Sequence, residues 1–157
     1  MRALASLRPV SELRLNPLTG RWVTISSNRG GRPGELTSHE LPYETGRPCP
    51  FCPGHEEETP PSLAEYGTDG AWSVRVMPNK SPVFSGTEPM HVTDVGPVFT
   101  QANASGVHEV LVLSPDHHQS WGDLDDKQAG LVMAAIRDRM EDHARQVGTR
   151  YTQAIVN

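Results

Sequence analysis

The sequence predicts an α+β chain, and three observations carry that expectation. Short runs rich in aromatic and β-branched residues recur at Arg21 to Ile25, Trp72 to Met77 and Val107 to Leu113, and such residues fit a pleated surface. One longer stretch, Asp125 to Val147, places apolar residues at helical spacing. Fourteen glycines and fourteen prolines punctuate the rest, which marks turns and loops. A length of 157 residues suits one domain, residues 1–157, with its own core.

Taken in order, Leu13 to Ile25 holds a turn at Asn16-Pro17-Leu18-Thr19-Gly20 and then the Arg21-to-Ile25 run, so it reads as a hairpin. From Ser26 to Pro61 glycine and proline dominate and the chain reads as irregular. A loop of that length is usually functional or disordered, and a metal clip is one way to order it. Trp72 to Met77 alternates as a strand and stops at Pro78, while Phe84 to Pro97 fits no single pattern. Val107 to Leu113 is the clearest strand, with His108, Val110 and Val112 on one face and Glu109, Leu111 and Leu113 on the other. Asp125 with Gln128 suggests a capping box at the start of the helix. Its expected stripe is Val132, Ile136, Met140 and Val147, with Arg145 in the last turn and Gly148 as the stop. Arg137, Asp138, Arg139, Glu141 and Asp142 read as its solvated face, and Tyr151 to Asn157 as a further strand that runs to the chain terminus.

Composition narrows the function. Fourteen basic against 19 acidic residues give a formal charge of −5, which argues against a protein that coats nucleic acid or an anionic membrane. A small anionic ligand needs only a local cluster of donors and stays open. No run approaches the ~18 apolar residues of a membrane span. Met1 to Val10 lacks the long apolar core and cleavage site of a signal peptide. The two cysteines lie too close in sequence for an ordinary structural disulfide, and a cytoplasmic protein is the default reading.

Three constellations have chemical content. In Cys49-Pro50-Phe51-Cys52 two thiolates separated by two residues suit one tetrahedral metal ion, with proline stiffening the knuckle. Free thiols or a redox pair are the other readings, but redox pairs usually open a helix, and this pair lies in a proline-rich loop. Of the seven histidines, His55 would crowd the knuckle, His108 reads as a half-buried strand residue, and His143 reads as helix surface. His117 or His118, after Ser114-Pro115-Asp116 at the end of the clearest strand, is the best third ligand, since a strand end presents a side chain rigidly. The second constellation, Asn28-Arg29-Gly30-Gly31-Arg32-Pro33, suits a phosphate or a solvated basic loop about equally. The third, Met77-Pro78-Asn79-Lys80, suits a ribose contact or a plain turn.

Read in order, these segments resemble the galactose-1-phosphate uridylyltransferase family of the histidine-triad superfamily. The matching stretches are Leu15 to Val23, Asn28 to Pro33, Cys49 to Gly54, Val76 to Lys80, Gly106 to Val110, Ser114 to His117 and Val156-Asn157. The resemblance implies a histidine-triad-like open antiparallel half-barrel with one long helix, incomplete at its C-terminal end. It implies zinc held by Cys49, Cys52 and His117. It assigns Arg29 and Arg32 to the nucleotide's phosphates and base, Phe51 and Met77 to segments lining the uracil pocket, Asn79 to the ribose, and Asn157 to the diphosphate. Lys80 stands where the family usually has Asp, which weakens the Asn79 assignment.

The family's substrates are UDP-glucose and galactose-1-phosphate, and its assembly is a homodimer. Its nucleophile is the second histidine of a His-x-His-x-Gln motif, whose first histidine completes the zinc site. No His-x-His occurs in this chain. The chain alone is therefore expected to contain no catalytic nucleophile and to be inactive, with a second chain supplying the remaining half as one expected partner. A related nucleotide phosphorylase or adenylyltransferase part, and a non-catalytic zinc-binding module, are the competing readings.

Overall fold

The computed structural model describes residues 11–26, 48–68 and 70–156. These form two antiparallel sheets and one α-helix, an α+β fold. Two compact units divide the chain: Met1–Tyr43 with Ser81–His108, and Glu44–Lys80 with Glu109–Asn157.

The first unit contains a four-stranded sheet. β1 (Glu12–Leu15) and β2 (Trp22–Ile25) form the expected hairpin. Asn16 closes its turn: the side-chain oxygen accepts from the Leu18 and Thr19 amides at 2.9 and 3.2 Å, and its carbonyl accepts from Gly20 at 2.9 Å. Gly20 adopts φ +70°, a left-handed conformation that glycine enters without steric cost. A second hairpin, β3 (Val92–Val95) and β4 (Phe99–Asn103), completes the sheet in the order β2-β1-β4-β3. This hairpin was not legible in the sequence, because its strands are short and β3 is exposed along its whole length.

The second unit contains β5 (Ala64–Thr68), β6 (Ala71–Pro78) and β7 (Glu109–Val112) in that order across a three-stranded sheet. A bulge at Tyr66 and Gly67 interrupts the β5–β6 register. A Cβ at Gly67 would lie 2.1 Å from the Ala71 carbonyl oxygen, so the close approach there requires glycine. The helix α1 (Asp126–Ala144) packs on β6 and β5. Val74, Val76, Val132 and Ala135 form the buried core, joined by Leu111, Leu113, Leu124, Leu131 and Ile136. Each fully buried valine contributes about 1.5–3 kcal/mol relative to an exposed one. Among the described residues no helix is long and apolar enough to cross a membrane.

Several sequence expectations need correction. Asp125 caps α1, accepting from the Gln128 amide at 2.7 Å, but the Gln128 side chain does not turn back to the cap. It donates to the Ser73 and Leu113 carbonyls at 2.8 and 2.6 Å, tying the helix start to β6 and the end of β7. The helix ends at Ala144, so Val147 lies beyond it and is fully exposed. The buried positions of α1 are Val132, Ala135 and His143. His143, expected at the surface, is 8% exposed, and Arg139 joins it on the sheet-facing side. The reason is Glu109, which β7 presents on the same face as Leu111 and Leu113 and which draws both side chains inward. Residues 151–156 form no strand and expose Tyr151, Ile155 and Val156, and among the described residues no strand pairs with them.

Candidate functional site

The second unit contains the chemistry. Cys49 to Gly54 folds as consecutive tight turns: the Cys52 amide bonds the Cys49 carbonyl and the His55 amide bonds the Cys52 carbonyl, each at 3.2 Å. This winding brings the two thiols to one side, as the two-residue spacing requires of a metal knuckle. His117 arrives from a separate element. After β7, Ser114 accepts from the Asp116 amide at 3.0 Å and donates to the Gln119 side chain at 2.5 Å. Asp116 accepts from the His118 amide at 2.9 Å. These local bonds fix the loop just beyond the strand end, and His117 projects from it.

The Cys49 and Cys52 sulfurs and a His117 ring nitrogen all lie within 4.8 Å of one another. Cys52 Sγ and His117 Nδ1 are 3.4 Å apart. A tetrahedral zinc with roughly 2.3 Å bonds to sulfur and 2.1 Å bonds to nitrogen separates such ligand atoms by about 3.6 Å, so the residues present fit the ion. Burial, together with the Cys49 thiol beside it, pushes the Cys52 thiol above its ordinary value. Metal binding here has to displace protons, and affinity should fall as pH falls. His118 stacks edge-on against His117, with ring centroids 5.0 Å apart, outside the ligand cluster. Of the two histidines, the structure thus gathers His117 with the thiols. His55 turns to Glu58, at 3.2 Å, instead of joining the thiols.

The other sequence-derived residues fall as follows. Phe51 sits in the knuckle and is 39% exposed. Met77, near the end of β6, is 1% exposed, a packed strand residue, and Asn79 follows that strand. Arg29, Arg32 and Asn157 lie outside the described residues. Sequence reasoning missed Glu56, Trp72 and Arg75, which surround the segment after the knuckle. The available signal was Arg75 itself, one charge inside the apolar run Val74-Arg75-Val76-Met77.

Comparison with known proteins adds to this geometry. Residues 5–157 match the family described as galactose-1-phosphate uridyl transferase, N-terminal domain. The chain belongs to that family. Among curated proteins it is similar to ADP-glucose phosphorylase of Arabidopsis thaliana, 32% identical over 151 residues, which cover 93% of this chain and 43% of that protein. Among solved structures it is similar to a uridylyltransferase, with a TM-score of 0.59 and 24% identity over 89% of this chain and 38% of the other. A uridylyltransferase mutant gives a TM-score of 0.54 and 25% identity, over 89% and 36%. The chain thus spans less than half the length of these relatives.

Proposed function

We propose that this chain carries the zinc site and part of the nucleotide site of an enzyme that moves a nucleotidyl group from a nucleotide-diphosphate sugar to a phosphate-bearing acceptor. The observation that carries this reading is the convergence of Cys49, Cys52 and His117 from two separate segments, in a chain of the uridyl transferase family. Zinc would neutralise the two thiolates and pin the knuckle to the loop after β7. The histidine-triad-like half-barrel belongs to the same proposal. So does a covalent nucleophile outside these 157 residues, which contain no His-x-His.

Two substrate readings follow. The family description supports UDP-glucose with galactose-1-phosphate. The 32% identity to an ADP-glucose phosphorylase supports ADP-glucose instead. The exposed Phe51 offers a face on which a base of either kind could stack. Calorimetric titration of the zinc-loaded chain with both sugar nucleotides separates them. Tighter ADP-glucose binding selects the phosphorylase reading, and tighter UDP-glucose binding selects the uridylyl reading. In either case Arg29→Ala and Arg32→Ala should each weaken binding by about 1.5–3 kcal/mol, the scale of one charge-assisted contact. Equal affinity of both variants and the parent chain would remove the arginines from the site.

A further inference from the structure

Glu56 is the first of three consecutive glutamates, and such a run ordinarily reads as a solvated face. Its surroundings differ from those of its neighbours. One carboxylate oxygen accepts from the Gly54 amide at 2.9 Å, and the other accepts from the Trp72 indole N–H at 2.8 Å. Gly54 belongs to the cysteine knuckle and Trp72 to β6. The same residue's carbonyl accepts from the Thr59 hydroxyl at 2.9 Å and from Arg75 Nη2 at 3.4 Å. Arg75 is 1% exposed, and its Nε donates to Ser62 at 2.8 Å. A buried guanidinium is costly unless its donors are used. Here Nε and Nη2 hold the stretch from Glu56 to Ser62 against the sheet, while Nη1 stays buried without a hydrogen-bond partner among the described residues. Glu57 and Glu58 are exposed, and Glu58 pairs with His55.

From this arrangement we infer that Glu56 is a positioning residue for the metal knuckle, bridging Gly54 to β6 and so fixing Cys49 and Cys52 relative to His117. The inference rests on the metal reading above. Its physical basis is preorganisation. His117 is delivered by β7, which pairs with β6 from Arg75↔Val112 to Pro78↔Glu109. The cysteines lie in a loop whose own hydrogen bonds are local. The Glu56 side chain ties that loop to β6 through Trp72, so both halves of the ligand set refer to one strand. Without the tie, the loop samples more geometries, and each bound state costs more ordering. The Trp72 hydrogen bond holds the Glu56 carboxyl below the usual carboxylate range. It is therefore ionised at neutral pH and acts only as an acceptor, as its two donors require.

The test compares the full chain with its Glu56→Ala, Glu56→Gln and Glu57→Ala variants. Zinc affinity is read by competition with a coloured chelator, and melting is read with and without zinc. Glu56→Ala should weaken zinc binding about tenfold, within the range found for groups that support metal ligands. Its melting temperature without metal should stay near that of the parent, while the increment on adding zinc shrinks. Glu56→Gln should fall between the two, because its one carbonyl oxygen serves one of the two donors. Glu57→Ala should match the parent. In metal-free protein, hydrogen exchange at the Gly54 amide should speed up in Glu56→Ala. Zinc affinity and Gly54 exchange both unchanged in that variant would overturn the inference while leaving the metal reading standing. A parent chain that binds no zinc would sink the metal reading and this inference together, and the Gly54 exchange would then show whether Glu56 still holds the loop.

Discussion

Replacing Cys52 with serine should strip zinc from the protein and lower its stability. Cys52 is one of three candidate ligands gathered within 4.8 Å, and loss of a thiolate should cost more than the roughly 10–100-fold typical of supporting residues. Cys49→Ser and His117→Ala should behave alike. His118→Ala should leave zinc content unchanged, because its ring stands outside the cluster. Elemental analysis of protein purified without chelator reads the first effect, and calorimetry reads the second. At free zinc about a hundredfold above the dissociation constant, the folded state gains about 2.7 kcal/mol. For a chain of this length that is a rise of about 5–11 °C in melting temperature, which chelator should remove. Zinc content unchanged by all three ligand substitutions would refute the site.

Arg139→Ala should cost about 2 kcal/mol and flatten the acid side of the stability curve. Arg139 grips Glu109 through two bonds, Nε to Oε2 at 3.0 Å and Nη2 to Oε1 at 2.7 Å, and His143 Nε2 adds a third contact at 3.1 Å. Removing one partner from a fully buried pair costs about 3–5 kcal/mol, and the remaining exposure of this cluster brings the figure down. Burial pushes the Glu109 carboxyl up, but the hydrogen bonds and attraction of Arg139 and His143 outweigh it and hold the group below the usual carboxylate range. A group depressed in the folded state stabilises the protein at pH values above its unfolded value, about 4.3. That contribution is lost as pH falls through the lower folded value. In Arg139→Ala the burial remains while the main attraction is gone, so stability at neutral pH drops and less is left to lose on acidification. Urea melts of both proteins from pH 7 to pH 3 check this. Parallel pH profiles would show that the ion pair does not set the slope.

Much of the fold could be read from residue patterns where local chemistry is strong. The β1–β2 hairpin followed from Asn16 and Gly20, whose turn needs an Asx acceptor and a positive φ. β6 and β7 followed from runs of β-branched residues, and α1 from its capping aspartate and apolar spacing. The β3–β4 hairpin did not, because its strands have only four and five residues and β3 is exposed along its whole length. Nor did β5, whose Gly67 reads as a breaker until the bulge against β6 explains it. The helix face was misjudged at Arg139 and His143 for a different reason. A charged side chain reads as exposed unless a buried partner is known, and Glu109 comes from a strand 30 residues away.

By itself, the sequence determined the candidate donor set. Two cysteines separated by two residues, and a histidine at a strand end, read as candidate metal ligands because thiolate and imidazole spacing is a local property of the chain. The residues alone left His117 and His118 open and the resemblance pointed to His117; only the tertiary structure shows the His117 ring 3.4 Å from the Cys52 sulfur, with His118 edge-on outside that cluster. It also sets Glu56 apart from its neighbours. One carboxylate in a run of three is distinguished only by the Trp72 and Gly54 donors that folding places beside it. Hydrogen bonds between segments depend on where the sheet puts each strand, and no spacing along the chain encodes that.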